Sequence, residues 1–80
     1  MEPKRTPTPL ELNVIANLKV RRMKMGFSQA RIAELLGIQQ PTYAQYETGR
    51  RAVLLSTLEK FAKLYRCSVH DLIDPPPPLD

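Results

Sequence analysis

Residues 28–47 read SQARIAELLGIQQPTYAQYE, and the fold turns on how this stretch is parsed. Ser28 can cap a helix start, Ile32, Ala33 and Leu36 form an apolar side at helical spacing, and Gly37 can end the helix in the left-handed conformation. A helix over about 29–36 is predicted. Pro41 is tolerated only in the first turn of the next helix, where its missing amide hydrogen has no intrahelical partner. That second helix therefore begins around 39–41 and ends before Gly49. Ile38, Tyr43 and Tyr46 can turn toward a core, while Gln40, Pro41, Ala44 and Gln45 fall together on the opposite face. The outward face carries amides and small groups, with no acid and no metal ligand. A solvated helix face is the commoner meaning of such a run. Amides can, however, pair bidentately with adenine edges in a DNA major groove, and an alanine methyl can sit against a thymine methyl.

Upstream, Thr8-Pro9-Leu10-Glu11 joins a cap, a proline suited to the first helical position and a glutamate able to close a capping box. The helix it opens is predicted to run to about Met25, where Gly26 stops it. Leu10, Val14, Leu18 and Met25 share a face expected to pack inward, with Arg22 near its edge. Leu12, Ala16, Val20 and Met23 form a second stripe, and one core cannot bury both. This stripe is either a self-association surface or a set of tolerated surface side chains. Phe27 is expected to plug the core, and Gln29 lies in a first helical turn, where unbonded amides favour a phosphate oxygen.

Downstream, Thr48-Gly49-Arg50-Arg51 sets two guanidinium groups in a turn where they can straddle a phosphate backbone. Ser56-Thr57-Leu58-Glu59 reads as a capping box for a fourth helix, with Leu58, Phe61, Ala62 and Tyr65 as its buried stripe. Ser68-Val69-His70-Asp71 repeats that signature for a short fifth helix carrying Val69, Leu72 and Ile73.

Eighty residues with prolines gathered at both ends leave one domain of about sixty packed residues, small enough that self-association is expected. We divide the chain into a flexible basic arm over 1–8, a helical domain over 9–74 and a proline-rich tail over 75–80. The net charge of +4 and pI near 9.6 favour a polyanionic partner. A single cysteine, Cys67, excludes an intrachain disulfide and offers no zinc spacing, so no metal or cofactor is expected. No apolar run is long enough for a membrane span and the N-terminus lacks a signal-peptide pattern, which predicts a soluble, cytosolic protein. An enzyme is disfavoured: the acids are scattered, Ser28, Ser56 and Ser68 all have capping roles, and His70 has no nucleophile near it.

In this order and spacing, Gly26-Phe27-Ser28-Gln29, Ile32-Ala33, Leu36-Gly37-Ile38, Tyr46-Glu47-Thr48-Gly49 and the Leu58, Ala62, Cys67-Ser68, Leu72 frame resemble the Cro/C1-type (XRE-family) helix-turn-helix domain of phage repressors and bacterial regulators. The resemblance spans roughly 18–73. It implies an all-α, compact five-helix bundle of the lambda-repressor-like type, binding double-stranded DNA as a homodimer in a prokaryotic or phage-encoded setting, with half-sites about 34–36 Å apart. By the same resemblance Gln39, Gln40, Ala44 and Gln45 would read bases. Ser28, Gln29, Thr42, Thr48, Arg50 and Arg51 would hold phosphates, and Arg22 and Glu47 would form an ion bridge between the first and third helices. The chain departs from the family at Pro41, where some relatives carry a polar base-contacting residue. The loop 51–54 lacks the usual Asn-Pro-Ser, and Arg66 stands where glycine is usual. The alternative reading keeps the fold as a protein-interaction module, such as the antitoxin of a toxin–antitoxin pair, whose partner protein would sit on the second stripe of the first helix or on the Val53-Leu54 loop.

Overall fold

A computed structural model describes residues 5–76 of the chain. The described residues form five helices: α1 (Pro9–Met25), α2 (Gln29–Leu36), α3 (Gln40–Glu47), α4 (Leu55–Leu64) and α5 (Val69–Ile73). Local chemistry sets most of their ends. The Thr8 and Ser68 side chains each accept from the third helical N–H, and Glu11 and Asp71 each return the bond to the cap backbone. Ser28 caps α2 through the Arg31 N–H. These bonds occupy donors that the first turn of any helix leaves over.

α4 departs from the expected Ser56 start. Its cap is Leu54, with extended backbone and no side-chain cap bond, and the Leu54 carbonyl accepts the Leu58 N–H at 2.8 Å. Ser56 therefore lies inside the first turn. A cap is defined by where the backbone leaves the extended conformation, and here it leaves two residues before the serine.

The core is built on Tyr43, Phe61, Leu18, Ile32 and Leu72, all fully buried. Phe61 sits edge-on to both Tyr43 and Tyr46, with ring centres 6.1 and 5.3 Å apart, a favourable arrangement for aromatic quadrupoles. Val14 and Leu18 face this core as expected, but Leu10 and Met25 are 60% and 40% exposed. At 17 residues, α1 is about 25 Å long and overhangs neighbours of about 12 Å, so only its middle turns are covered. On the second stripe Leu12 and Met23 are exposed, and Ala16 and Val20 are half-buried.

The middle of α1 also buries a polar residue. The fully buried Asn17 donates through Nδ2 to the carbonyls of Asn13, Leu72 and Asp74, and Asn13 Nδ2 reaches the Ile73 carbonyl. α1 thereby ties down carbonyls that the short α5 cannot bond within itself.

The Arg5 guanidinium donates to the Gly49 carbonyl at 2.8 Å and pairs with Glu11, and Pro7 lies against Gly49. Residues 5–8 thus form a strap across the turn after α3. Arm residues 1–4 and tail residues 77–80 lie outside the described residues.

Arg66 adopts φ 55°, in the left-handed region that disfavours a side chain. Glycine there loses the steric penalty but adds unfolded-state entropy, so Arg66→Gly is expected to stabilise by about 0.5–1 kcal/mol. A lowered midpoint in thermal unfolding would show that the Arg66 side chain holds the turn.

Candidate nucleic-acid interface

Gly37, at φ 72°, turns the chain from α2 into α3. The inner side of α3 is anchored by Tyr43, whose hydroxyl lies 2.9 Å from that of Tyr65. Burial raises both phenols, that of Tyr65 to about 12, so both remain protonated at neutral pH. Pro41 falls within the first two positions of α3 and interrupts no bond. On the outer side Pro41, Ala44, Gln45, Thr48 and Arg50 line an open groove.

A polar chain links the interior to the tip of this helix. Arg22 Nε and Nη2 donate to the Glu47 carboxylate at 2.7 and 3.1 Å, and Arg22 Nη1 donates to the Phe27 carbonyl at 2.9 Å. Glu47 is 1% exposed. Gln29 Nε2 donates to Glu47 Oε1, and Gln40 Nε2 donates to Gln29 Oε1, each at 3.2 Å. Burial alone would raise the Glu47 carboxyl. The Arg22 guanidinium, the Tyr43 hydroxyl and the Gln29 amide outweigh it and hold the carboxyl below its ordinary 4.5. In turn the Glu47 carboxylate raises Arg22.

The remaining site residues divide by what holds them. Gln39 caps α3 through its backbone with no side-chain bond and is exposed, as are Gln40, Thr48 and Arg50, while Thr42, Ala44 and Gln45 are half-buried. The Ser28 hydroxyl is engaged in its cap, and Thr48 Oγ1 donates to the Gln45 carbonyl at 3.3 Å. The Gln29 amide is occupied on both sides. Arg51 reaches the Gln45 side chain through Nε at 3.0 Å. The Gln29–Gln40 and Arg51–Gln45 bonds are not evident from the sequence, where each residue stands as a separate candidate contact. Their one available signal was that Gln29 and Gln40 each open a helix of the same pair.

The sequence profile of the helix-turn-helix family matches residues 18–72. The chain belongs to the Cro/C1-type helix-turn-helix family. It is 30% identical over 69 residues to an uncharacterised HTH-type transcriptional regulator of Sinorhizobium medicae, covering 86% of this chain and 50% of that protein. It is 38% identical over 56 residues to YonR, an SPbeta prophage-derived uncharacterised HTH-type transcriptional regulator of Bacillus subtilis, covering 70% and 52%. The chain thus spans about half the length of these curated relatives. The crystal structure of the hypothetical transcription factor NHTF from Neisseria superposes with a TM-score of 0.78 at 26% identity, over 95% of this chain and 90% of that one.

The family and these relatives are regulators rather than enzymes. In helix-turn-helix terms α2 is the first helix of the motif and α3 the second. The matched span begins at Leu18, so the strap at residues 5–8 and Asn17 itself precede it. Burial raises the half-buried Cys67 thiol, which suits a packing residue rather than a nucleophile.

Proposed function

We propose that this chain is a DNA-binding transcription regulator that grips a near-palindromic operator as a homodimer, with α3 in the major groove. The observation that carries the reading is the bonded series Arg22–Glu47–Gln29–Gln40. It holds an exposed amide at the start of α3 from behind while leaving Oε1 and one N–H of Gln40 for a ligand. Adenine offers the complementary N6 donor and N7 acceptor. Gln39 stands beside it, and the Ala44 methyl suits a thymine methyl. We assign phosphates to the backbone N–H groups that open α2 at Ser28 and Gln29, and to Thr42, Thr48 and Arg50 flanking α3, since helix N-termini and cations favour them.

Leu54 and Leu55, at 66% and 78% exposure, offer the contact between protomers. In a homodimer of helix-turn-helix domains the two α3 helices would meet half-sites one DNA turn apart, about 34–36 Å.

Selection from random oligonucleotides with the purified protein is expected to return two inverted half-sites at that spacing. Gln40→Ala should relax one base position in each half-site and cost about 1–3 kcal/mol of specific binding. Unchanged binding to every operator variant would sink this docking.

A further inference from the structure

The two arginines after α3 look equivalent in sequence, but the fold holds them differently. Arg50 is exposed along the outer groove. Arg51 is tethered: its Nε–H donates to Gln45 Oε1 at 3.0 Å, and its backbone N–H donates to the Gln45 carbonyl at 3.3 Å. Its guanidinium carbon also lies 6.0 Å from the centre of the Tyr46 ring, within cation–π range. Tyr46 is packed edge-on against the buried Phe61, so the tether reaches the core.

Chemistry fixes the polarity of this contact. A guanidinium only donates, so the Gln45 atom facing Arg51 is the amide oxygen, and its NH2 is left for a ligand. Gln40 is held the opposite way. The Glu47 carboxylate only accepts, so Gln29 turns its NH2 to Glu47 and its oxygen to Gln40, which therefore donates to Gln29 and keeps its own oxygen for a ligand. Two glutamines on one helix are thus set with opposite ends available.

We propose that Arg51 is a specificity-determining residue that acts through Gln45, setting it as a hydrogen-bond donor to a base edge rich in acceptors. Guanine, with acceptors at both N7 and O6, fits such an amide. Cytosine presents only its N4 donor there. The proposal rests on the placement of α3 in the major groove, and it makes Arg51 a positioning residue rather than a phosphate contact.

The test is oligonucleotide selection, with affinities at several salt concentrations, for the wild type, Gln45→Ala, Arg51→Ala and Arg51→Lys. Arg51 is exposed, so its variants are expected to melt within about 4 °C of the wild type. Gln45→Ala identifies the position that Gln45 reads, and the wild type is expected to prefer guanine there by roughly tenfold. Both Arg51 variants should drop that preference to about twofold or less, leaving the other positions and the slope of log affinity against log salt unchanged. Lysine keeps the charge but lacks the planar fork. The proposal is overturned if Arg51→Ala weakens all sequences alike and lowers the salt slope by about one while Arg51→Lys restores both, the behaviour of a phosphate contact. It is equally overturned if Gln45→Ala shifts no preference while the wild type still selects an operator, which leaves the docking of α3 intact. A wild type that selects no sequence removes the major-groove reading itself.

Discussion

Glu47→Ala is expected to cost about 3–4 kcal/mol of folding stability, because removing one member of a buried ion pair strands the other. The carboxylate is 1% exposed and the Arg22 side chain 17%, so water replaces the lost partner poorly, and Gln29 loses its acceptor as well. For a domain of this size the melting midpoint should fall by about 15–25 °C. A loss below about 1 kcal/mol would class the pair with surface bridges and sink the claim. A second variant separates stability from orientation. Arg22→Met combined with Glu47→Leu should regain most of the stability, since apolar replacements of buried pairs are often neutral. It should not regain discrimination at the base read by Gln40, because nothing then aligns Gln29.

Acid offers a milder version of the same cut. Glu47 titrates below its ordinary 4.5 when folded, so the stability it supplies is complete above the unfolded value and is lost as pH falls through the lower folded one. Between about pH 5 and pH 3 the wild-type midpoint should therefore fall more steeply than that of Glu47→Gln. Asp71, also held below its ordinary value by bonds from Ser68, is present in both proteins, so the difference reports on Glu47.

The contrast between local and distant bonds explains what the sequence disclosed. Thr8, Gly26, Ser28, Gly37 and Ser68 mark helix ends through bonds spanning three to five residues, so their spacing was legible without knowing the fold. The stripe Leu58, Phe61, Ala62 and Tyr65 was legible for the same reason, since helical period alone puts it on one side. Leu10 and Met25 obey that period too, yet they are exposed because burial depends on where the neighbouring helices end. The Ser56 box failed because a competing cap two residues earlier needed no side chain. Within the interface, the outward set on α3 followed from its period. The pairing of Gln29 with Gln40 spans 11 residues and that of Asn17 with Leu72 spans 55, distances over which no local rule operates.

Gly49→Ala is expected to destabilise by about 2–4 kcal/mol, more than the same change at either of the other two glycines. All three have φ between 72° and 77°, so each alanine meets a left-handed backbone penalty of about 1 kcal/mol. Only at Gly49 is space also denied: an added Cβ would lie 2.6 Å from Pro7 Cγ and 2.9 Å from Ile15 Cδ1, whereas nothing lies within 4 Å at Gly26 or Gly37. The proline ring cannot swing aside as a flexible side chain would, so overpacking of about 1–3 kcal/mol adds to the backbone term. Pro7→Ala made together with Gly49→Ala should cost less than the sum of the two single losses, because the change at Pro7 removes the obstacle met by the new Cβ at residue 49. Equal losses at all three glycines, or strict additivity with Pro7, would mean that the strap is not seated on this turn. DNA binding supplies a second readout, since the Gly49 carbonyl accepts from Arg5 and the next two residues are Arg50 and Arg51. A turn pushed off Pro7 carries both arginines with it. At a temperature where both variants remain folded, Gly49→Ala should therefore lose operator affinity that Gly26→Ala keeps.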